Sequence, residues 1–133
     1  MLTNYCSLLL LLSALLPSLL FSQQKECISI EWSKHFGGTN KENANDIQQT
    51  TDGGYIVAGF TPSLDGGVSN NFGSAGHWVL KLDQGGEIEW EKSFGGFSFD
   101  IASAVVQAPD GGYVVTGGTV SNDGQVSGNH GLE

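Results

Sequence analysis

A recurrence of sequence 58 residues apart is the feature that most constrains the fold of this chain. The stretch Asp52–Gly59 (Asp-Gly-Gly-Tyr-Ile-Val-Ala-Gly) returns as Asp110–Gly117 (Asp-Gly-Gly-Tyr-Val-Val-Thr-Gly). Residues 30–75 laid over residues 88–133 match at 23 of 46 positions without an insertion. Identity at a fixed period is typical of repeat architectures, in which each copy forms one supersecondary unit. We therefore predict a first copy over residues 30–87 and a second, truncated copy over residues 88–133.

An apolar block over residues 8–21 precedes the two copies. It is shorter than the roughly 20 residues of a membrane-spanning helix, contains Pro17, and is followed by the small residue Ser22. This pattern predicts a secretory signal peptide over residues 1–22, cleaved before Gln23, with an uncleaved membrane anchor as the alternative. The remainder, residues 23–133, is expected to be secreted or displayed at the cell surface, and to meet the membrane only through the signal segment.

Charge and cysteine content exclude several classes of protein. The chain has 5 Lys and Arg residues against 14 Asp and Glu residues, a formal net charge of −9. Nucleic acid is therefore not an expected partner, because binding a polyphosphate requires a basic face. Of the two cysteines, Cys6 lies inside the predicted signal and only Cys27 follows it. An internal disulfide is not expected to hold the mature fold.

Turn residues divide each copy into short strands. Asp52, Gly53 and Gly54 predict a tight turn between two strands, because Asp and Gly favour the backbone conformations of β-turns. Asp110, Gly111 and Gly112 predict the same turn in the second copy. Seven strands are predicted in all, near residues 29–36, 44–51, 55–61, 77–83 and 87–94, and two within 102–119. The strand over 87–94 is expected to turn its glutamates toward solvent.

These elements predict an all-β fold without helices after the signal segment. Four short antiparallel strands per 58 residues, separated by glycine-rich turns, is the build of a β-propeller blade. Aromatic residues that recur at a fixed position are expected to pack between adjacent sheets, and a stacking platform for sugar rings is the alternative. The predicted structural positions are Trp32, Trp90, Gly53, Gly54, Gly111, Gly112, Tyr55 and Tyr113.

The motifs of the repeat also carry a resemblance. The pattern Ile-x-Trp-x-Lys-x-Phe-Gly-Gly, then Asp-Gly-Gly-Tyr-[Ile/Val]-Val-x-Gly and Trp-Val-Leu-Lys-Leu-Asp, spans nearly all of residues 23–133. It resembles the β-propeller-like repeats of large secreted and cell-surface bacterial proteins, particularly those exported by gliding-type bacteria. The resemblance implies an extracellular, non-catalytic repeat region, usually attached to other modules such as a C-terminal sorting domain.

The number of copies limits how such a fold can close. Closed propellers use four to eight blades, whereas residues 30–133 supply fewer than two. The chain is therefore expected to be an incomplete propeller and a fragment of a larger protein. Assembly of several copies, or an open twisted pair of sheets, are the alternatives. Unpaired strand edges would offer a route to self-association.

Two loops are candidates for a Ca²⁺ site, because they repeat oxygen-bearing side chains in an acidic chain. The candidate ligands are Asp65 and Asn71 in the first copy, and Asp123 and Asn129 in the second. Calcium takes six to eight oxygen ligands, whereas each loop offers few carboxylates. The spacing also departs from the EF-hand motif. Ordinary loops closed by Asx-turns are the competing interpretation, and no other cofactor is expected.

One pair of acidic residues, Glu42 and Asp100, recurs at the 58-residue offset. We predict that each carboxylate accepts backbone N–H bonds and fixes the turn into the following strand. A glycosidase needs two carboxylates in different environments, which repetition opposes. The chain is therefore expected to be a non-catalytic scaffold or binding module for an unidentified protein or glycan. The alternative is part of a glycan-active hydrolase that further blades would complete.

Overall fold

The computed structural model describes residues 28–69, 71 and 73–129. This part of the chain is all-β, with six strands in two antiparallel sheets. A four-stranded sheet has the order β1-β2-β3-β4, and β5 pairs with β6 in a second sheet. The strands are β1 (Asn43–Gln49), β2 (Tyr55–Thr61), β3 (Gly76–Leu82), β4 (Ile88–Phe94), β5 (Asp100–Gln107) and β6 (Tyr113–Thr119).

The two predicted Asp-Gly-Gly turns are confirmed as hairpin turns. Thr50 N–H donates to the Gly54 carbonyl at 2.9 Å between β1 and β2, and Ala108 N–H donates to the Gly112 carbonyl at 2.8 Å between β5 and β6. Gly53 has a φ of 84°, which a side chain would disfavour. The Asp52 carboxylate also accepts the Gly54 N–H at 3.0 Å, so local chemistry alone closes the turn.

The strand predicted near residues 29–36 is wrong. Residues 28–38 belong to no strand, although their sequence matches β4. In the four-stranded sheet β4 is held by β3, with Val79 opposite Lys92. The segment that would correspond to β3 is residues 18–24, whose leucine-rich sequence lacks the β3 pattern. Among residues 28–69, 71 and 73–129 no strand pairs with residues 29–36, so in this part of the chain their backbone has no ladder to join.

The β5–β6 hairpin packs on one face of the four-stranded sheet, which we call the front face and which carries Ile56, Ala58 and Val79. The hairpin contributes Ala102 and Val105 to the same buried cluster. Strand β5 lies across β1, β2 and β3. The apolar core between the sheets is therefore built by β2 and β3 of the four-stranded sheet and by β5 of the hairpin.

The opposite face of the four-stranded sheet, the back face, carries Val57, Trp78 and Leu80. Trp32 and Phe36 from the segment without strand structure pack against it. The back face is thus covered in part by residues that precede β1. As predicted, β2 is an internal strand with apolar residues on both faces. The β5–β6 hairpin covers its front face, and Trp32 and Phe36 cover part of its back face.

Several contacts occur twice at the 58-residue offset. Trp32 meets Tyr55 with ring centroids 5.6 Å apart, and Trp90 meets Tyr113 at 5.7 Å, both edge to face. A β-bulge falls between Ala44 and Asp46 in β1, and another between Ala102 and Ala104 in β5. The Trp90 contact lies between the two sheets, whereas Trp32 lies on the back face of the first sheet.

A close approach of backbone to backbone accounts for the glycine at the centre of β6. A Cβ atom built on Gly117 would lie 1.9 Å from the Ile101 carbonyl oxygen, whereas a Cβ atom on Gly118 meets nothing within 4 Å. We expect Gly117→Ala to lower the free energy of unfolding by about 2 kcal/mol, because the strands must separate locally. Gly118→Ala is the matched control, with an effect within about 0.5 kcal/mol.

Urea denaturation of both variants measures this difference. Equal stability of the two variants would contradict the steric explanation. The same comparison applies to the first copy, where a Cβ atom on Gly59 would lie 1.9 Å from the Asn43 carbonyl oxygen.

The predicted signal peptide over residues 1–22 lies outside the described residues, as do Cys27 and the last residues of the second copy. Among residues 28–69, 71 and 73–129, no helix is long and apolar enough to span a membrane.

Candidate functional site

The loops at one end of the sheets hold a buried carboxylate. Asp100, at the start of β5, is fully buried and accepts hydrogen bonds from Gly96 N–H at 2.8 Å, from the Ser121 hydroxyl at 2.9 Å and from the Thr119 hydroxyl. Burial opposes the charge of Asp100, but these three donors outweigh it and hold its pKa below the usual value. The carboxylate ties the Gly95-Gly96 turn to the end of β6.

Glu42 occupies the equivalent position in the first copy, with one difference. It accepts hydrogen bonds from the Thr61 hydroxyl at 3.1 Å and from the Ser63 hydroxyl. The prediction of a backbone N–H donor is therefore confirmed for Asp100, whereas hydroxyl groups hold Glu42. The longer Glu42 side chain is half-buried, and its oxygen lies where a Cβ atom on Gly37 would stand. Each carboxylate thus accepts these hydrogen bonds from residues of its own copy.

The Asp residues of the two calcium candidate loops point back to the glycine turns. Asp65 Oδ1 accepts the Thr39 N–H at 2.8 Å, and Asp123 Oδ1 accepts the Phe97 N–H at 2.8 Å. In each case the carboxylate binds a turn that lies 26 residues earlier in the sequence. The same oxygen lies 2.3 Å or less from a Cβ atom built on Gly38 or Gly96, so both turns require glycine.

The asparagines of these loops bind main-chain carbonyl groups. Asn71 Nδ2 donates to the Thr61 carbonyl at 3.0 Å and to the Ser63 carbonyl at 3.2 Å. Asn129 Nδ2 donates to the Ser121 carbonyl at 2.7 Å. Within the described part of the chain, no group of three or more His, Cys, Asp or Glu side chains is placed to hold a metal ion. The Ca²⁺ site stays a prediction, and Asp65, Asn71, Asp123 and Asn129 serve as loop braces in this geometry.

A buried lysine lies at the other end of the sheet, beside the Asp-Gly-Gly turn. Lys81 in β3 has a side chain only 3% exposed, and its Nζ lies 2.9 Å from Asp52 Oδ2 and 2.7 Å from Glu89 Oε2. It also donates to the Leu82 carbonyl at 3.1 Å. Burial disfavours the ammonium, but the two carboxylates outweigh it and raise the pKa of Lys81.

The partners of Lys81 are more exposed than the lysine itself. The side chains of Asp52 and Glu89 are 55% and 45% exposed. A hydrogen bond from the Thr50 hydroxyl, together with Lys81 and the Gly54 N–H, holds the pKa of Asp52 well below its usual value. Both charges of the Lys81–Asp52 pair therefore persist across the neutral pH range.

The glutamates of β4 do not simply face solvent as predicted. Glu91 accepts hydrogen bonds from the Trp78 indole at 2.8 Å and from Ser69 N–H at 3.1 Å, and Glu89 pairs with Lys81. Sequence reasoning missed these roles because the donors lie on β3 and on the loop before it. One signal was available, since Lys81 is the only charged residue within the apolar run of β3.

A small cavity opens on the back face of the four-stranded sheet. Its volume is about 210 Å³, and its lining includes Phe36, Glu42, Ala44, Val57, Gly59 and Trp78. Pockets that hold drug-sized ligands span about 300 to 1,000 Å³. This cavity is therefore too small to bury such a ligand by itself, and it is mainly apolar in lining.

No protein-family model matches the chain, and no curated protein or solved structure is significantly similar to it. Inference about its function therefore rests on the contacts described above.

Proposed function

We propose that this chain is a secreted, non-catalytic scaffold or binding module built from blade-like units of an incomplete β-propeller. The observation that carries the proposal is the duplication of one set of contacts at the 58-residue offset. The Trp–Tyr pair, the bulge and the loop-bracing carboxylate each occur in both copies. A unit that packs the same way twice supports a role in presenting surfaces at regular spacing.

The loop ends favour binding over catalysis. The residues that brace the loops are the same in both copies, as with Ser63 and Ser121, and their oxygens are engaged within the chain. The tips differ, and they expose apolar side chains at Leu64, Phe97 and Val120. A constant frame with variable exposed tips is the organisation of a recognition surface for a protein or glycan.

The acidic residues supply a second argument against catalysis. Asp100 is fully buried and its pKa is lowered, so it does not suit a general acid, which needs a raised pKa and access to substrate. Glu42 shares one of its oxygens between two hydroxyl donors. The hydrolase alternative would need carboxylates supplied by further units.

One preparation tests both parts of the proposal. The full chain is expressed in a bacterium with a general secretory pathway and recovered from the exported fraction. We expect the intact mass to correspond to an N-terminus at Gln23, because Ser22 is the small residue that precedes the cleavage site. The exported product is then incubated with a panel of chromogenic glycosides, and we expect no turnover above a mock preparation.

Retention of the chain inside the cell would contradict secretion. Turnover that disappears in Glu42→Gln or Asp100→Asn would contradict the non-catalytic role. Because Asp100→Asn also affects stability, the circular dichroism spectrum of each variant at the assay temperature serves as the control.

A further inference from the structure

One face of the β5–β6 hairpin is apolar and is left uncovered by the part of the chain that the structure describes. We call it the hairpin front face, because its residues correspond to the front face of the four-stranded sheet at the 58-residue offset. Val114 and Val106 are paired across the two strands and are 53% and 48% exposed. Val114 corresponds to Ile56 and Thr116 to Ala58, and both of those first-copy residues are fully buried. The hairpin front face therefore lacks the cover that its counterpart has.

The cover of the first front face shows what fits such a surface. It is β5, which brings Ala102 and Val105 against Ile56 and Ala58. The first copy holds the equivalent pair as Ala44 and Ile47 in β1. Both lie exposed on the back face of the four-stranded sheet, and Ile47 is 56% exposed. One molecule thus exposes both halves of a contact that it also makes internally. One half is the surface at Ala44 and Ile47, and the other is the hairpin front face.

We infer that a second copy of this chain docks head to tail, with Ala44 and Ile47 of one molecule against Val106 and Val114 of the other. The contact continues the packing already present between the sheet and the hairpin. In this arrangement Thr116 lies opposite the back-face cavity lined by Ala44, Val57 and Gly59. It is a heterologous contact, so each molecule keeps one free half and further copies can add. This inference is independent of the location and ligand proposed above.

The docked contact lacks polar interactions that strengthen the internal one. Within the chain, Asp46 accepts the Val105 N–H at 2.9 Å, and Asn45 Nδ2 donates to the Ala102 carbonyl at 2.7 Å. At the 58-residue offset Asp46 corresponds to Ala104 and Asn45 to Ser103. The Phe60–Phe99 ring contact is also lost, because Gly118 stands at the position of Phe60. Association between copies is therefore weak and reversible.

Net charge sets the conditions under which the contact forms. The chain carries a formal charge of −9, so two copies repel each other at low ionic strength. The docking residues themselves are uncharged. Association through them therefore strengthens as salt screens the repulsion, the reverse of an ion-paired interface.

Two blocked variants test the head-to-tail geometry. The purified chain, whether recovered from the exported or from the intracellular fraction, is studied by sedimentation velocity over a range of concentrations at high salt. The wild type is expected to associate increasingly with concentration. Ile47→Glu places a charge on one half of the contact and Val114→Glu on the other, so each variant alone remains monomeric. Both positions are exposed, so the fold is preserved. An equimolar mixture forms dimers that do not grow, since one intact half remains on each partner.

A gain-of-function variant provides the second test. Ser103→Asn with Ala104→Asp restores the side chains that brace the internal contact, and is expected to strengthen association about tenfold, as a hydrogen bond to a charged acceptor allows. Adding Ile47→Glu to this variant abolishes the gain. Asn122→Asp adds a charge in an exposed loop away from the face and leaves association unchanged.

Several results would overturn the inference. They are a wild type that stays monomeric at every concentration, a mixture of the two blocked variants that forms no dimer, and a restored variant that associates no better than the wild type. Association that persists in both blocked variants would also overturn it, and would point to pairing of strand edges instead.

Discussion

Replacement of Asp100 by asparagine is expected to lower the free energy of unfolding by about 3 kcal/mol, or roughly 15 °C in melting temperature for a domain of this size. The carboxylate is fully buried and accepts three hydrogen bonds, of which those from Gly96 N–H and the Ser121 hydroxyl come from buried groups. The asparagine amide has one acceptor oxygen and no charge. When that oxygen takes the place of Oδ2, which accepts from Gly96 N–H and the Ser121 hydroxyl, the NH2 group takes the place of Oδ1 and the bond from the Thr119 hydroxyl is lost. Thermal and urea unfolding measure the loss.

The effect of this substitution depends on pH in a defined direction. The folded-state pKa of Asp100 lies below its unfolded value of about 3.9. The stability that its charge contributes is therefore fully present above the unfolded pKa and is lost as pH falls through the folded pKa. The difference in stability between the wild type and Asp100→Asn is expected to shrink below about pH 4.

Glu42→Gln is the matched control in the first copy. The Glu42 side chain is half-buried and accepts hydrogen bonds from the Thr61 and Ser63 hydroxyl groups, so we expect a loss of only about 1 kcal/mol. Equal losses at Glu42 and Asp100 would show that burial and the backbone donor are not what makes Asp100 important. A difference between wild type and Asp100→Asn that does not vary with pH would contradict the role of its charge.

The charges around Lys81 are expected to respond asymmetrically to substitution. Lys81→Met removes the buried ammonium and leaves two carboxylates that water can reach, so the free energy of unfolding should change by less than about 1 kcal/mol. Asp52→Asn combined with Glu89→Gln instead leaves the ammonium buried without a counter-charge. A buried charge that has lost its partners costs about 3 kcal/mol or more. Urea denaturation at neutral pH compares the two variants.

Adding Lys81→Met to the double variant tests the explanation, because no buried charge then remains. We expect the triple variant to recover most of the lost stability. A triple variant as unstable as the double variant would show that the carboxylates act through other contacts, such as the hydrogen bond from Gly54 N–H to Asp52. The raised pKa of Lys81 gives a second expectation. Its contribution is fully present below the unfolded pKa of about 10.4 and is lost as pH rises through the folded pKa.

The two hairpins were predicted correctly from the sequence, but the hydrogen-bond partners of the loop side chains were not. The 52–54 and 110–112 turns were predictable because their hydrogen bonds close within five residues. A strand was predicted over residues 55–61, and β2 lies at Tyr55–Thr61. The main-chain N–H groups that Asp65 and Asp123 accept from turns 26 residues earlier could not be read from the sequence. The Ca²⁺ site at these two residues stays a prediction.

The strand predicted over residues 29–36 was wrong although its sequence pattern matches that of a strand. This segment shares Ile, Glu, Trp, Lys and Phe with β4 at matching positions, yet it forms no strand. A strand depends on a neighbour for its hydrogen bonds, and periodicity within one segment carries no information on whether that neighbour exists. Trp32 nevertheless keeps its contact with Tyr55, because side-chain packing does not need the ladder.

The amino-acid sequence by itself determined the all-β class, the two hairpins and the glycines of their turns, since these follow from alternation and turn chemistry over a few residues. Only the tertiary structure decided that Lys81 is buried between two carboxylates, that Asp100 is sealed by β6, and that Ile56 is covered while Val114 is exposed. The reason is that burial and charge pairing depend on groups distant in sequence. Similar local sequences in the two copies are therefore packed against different residues.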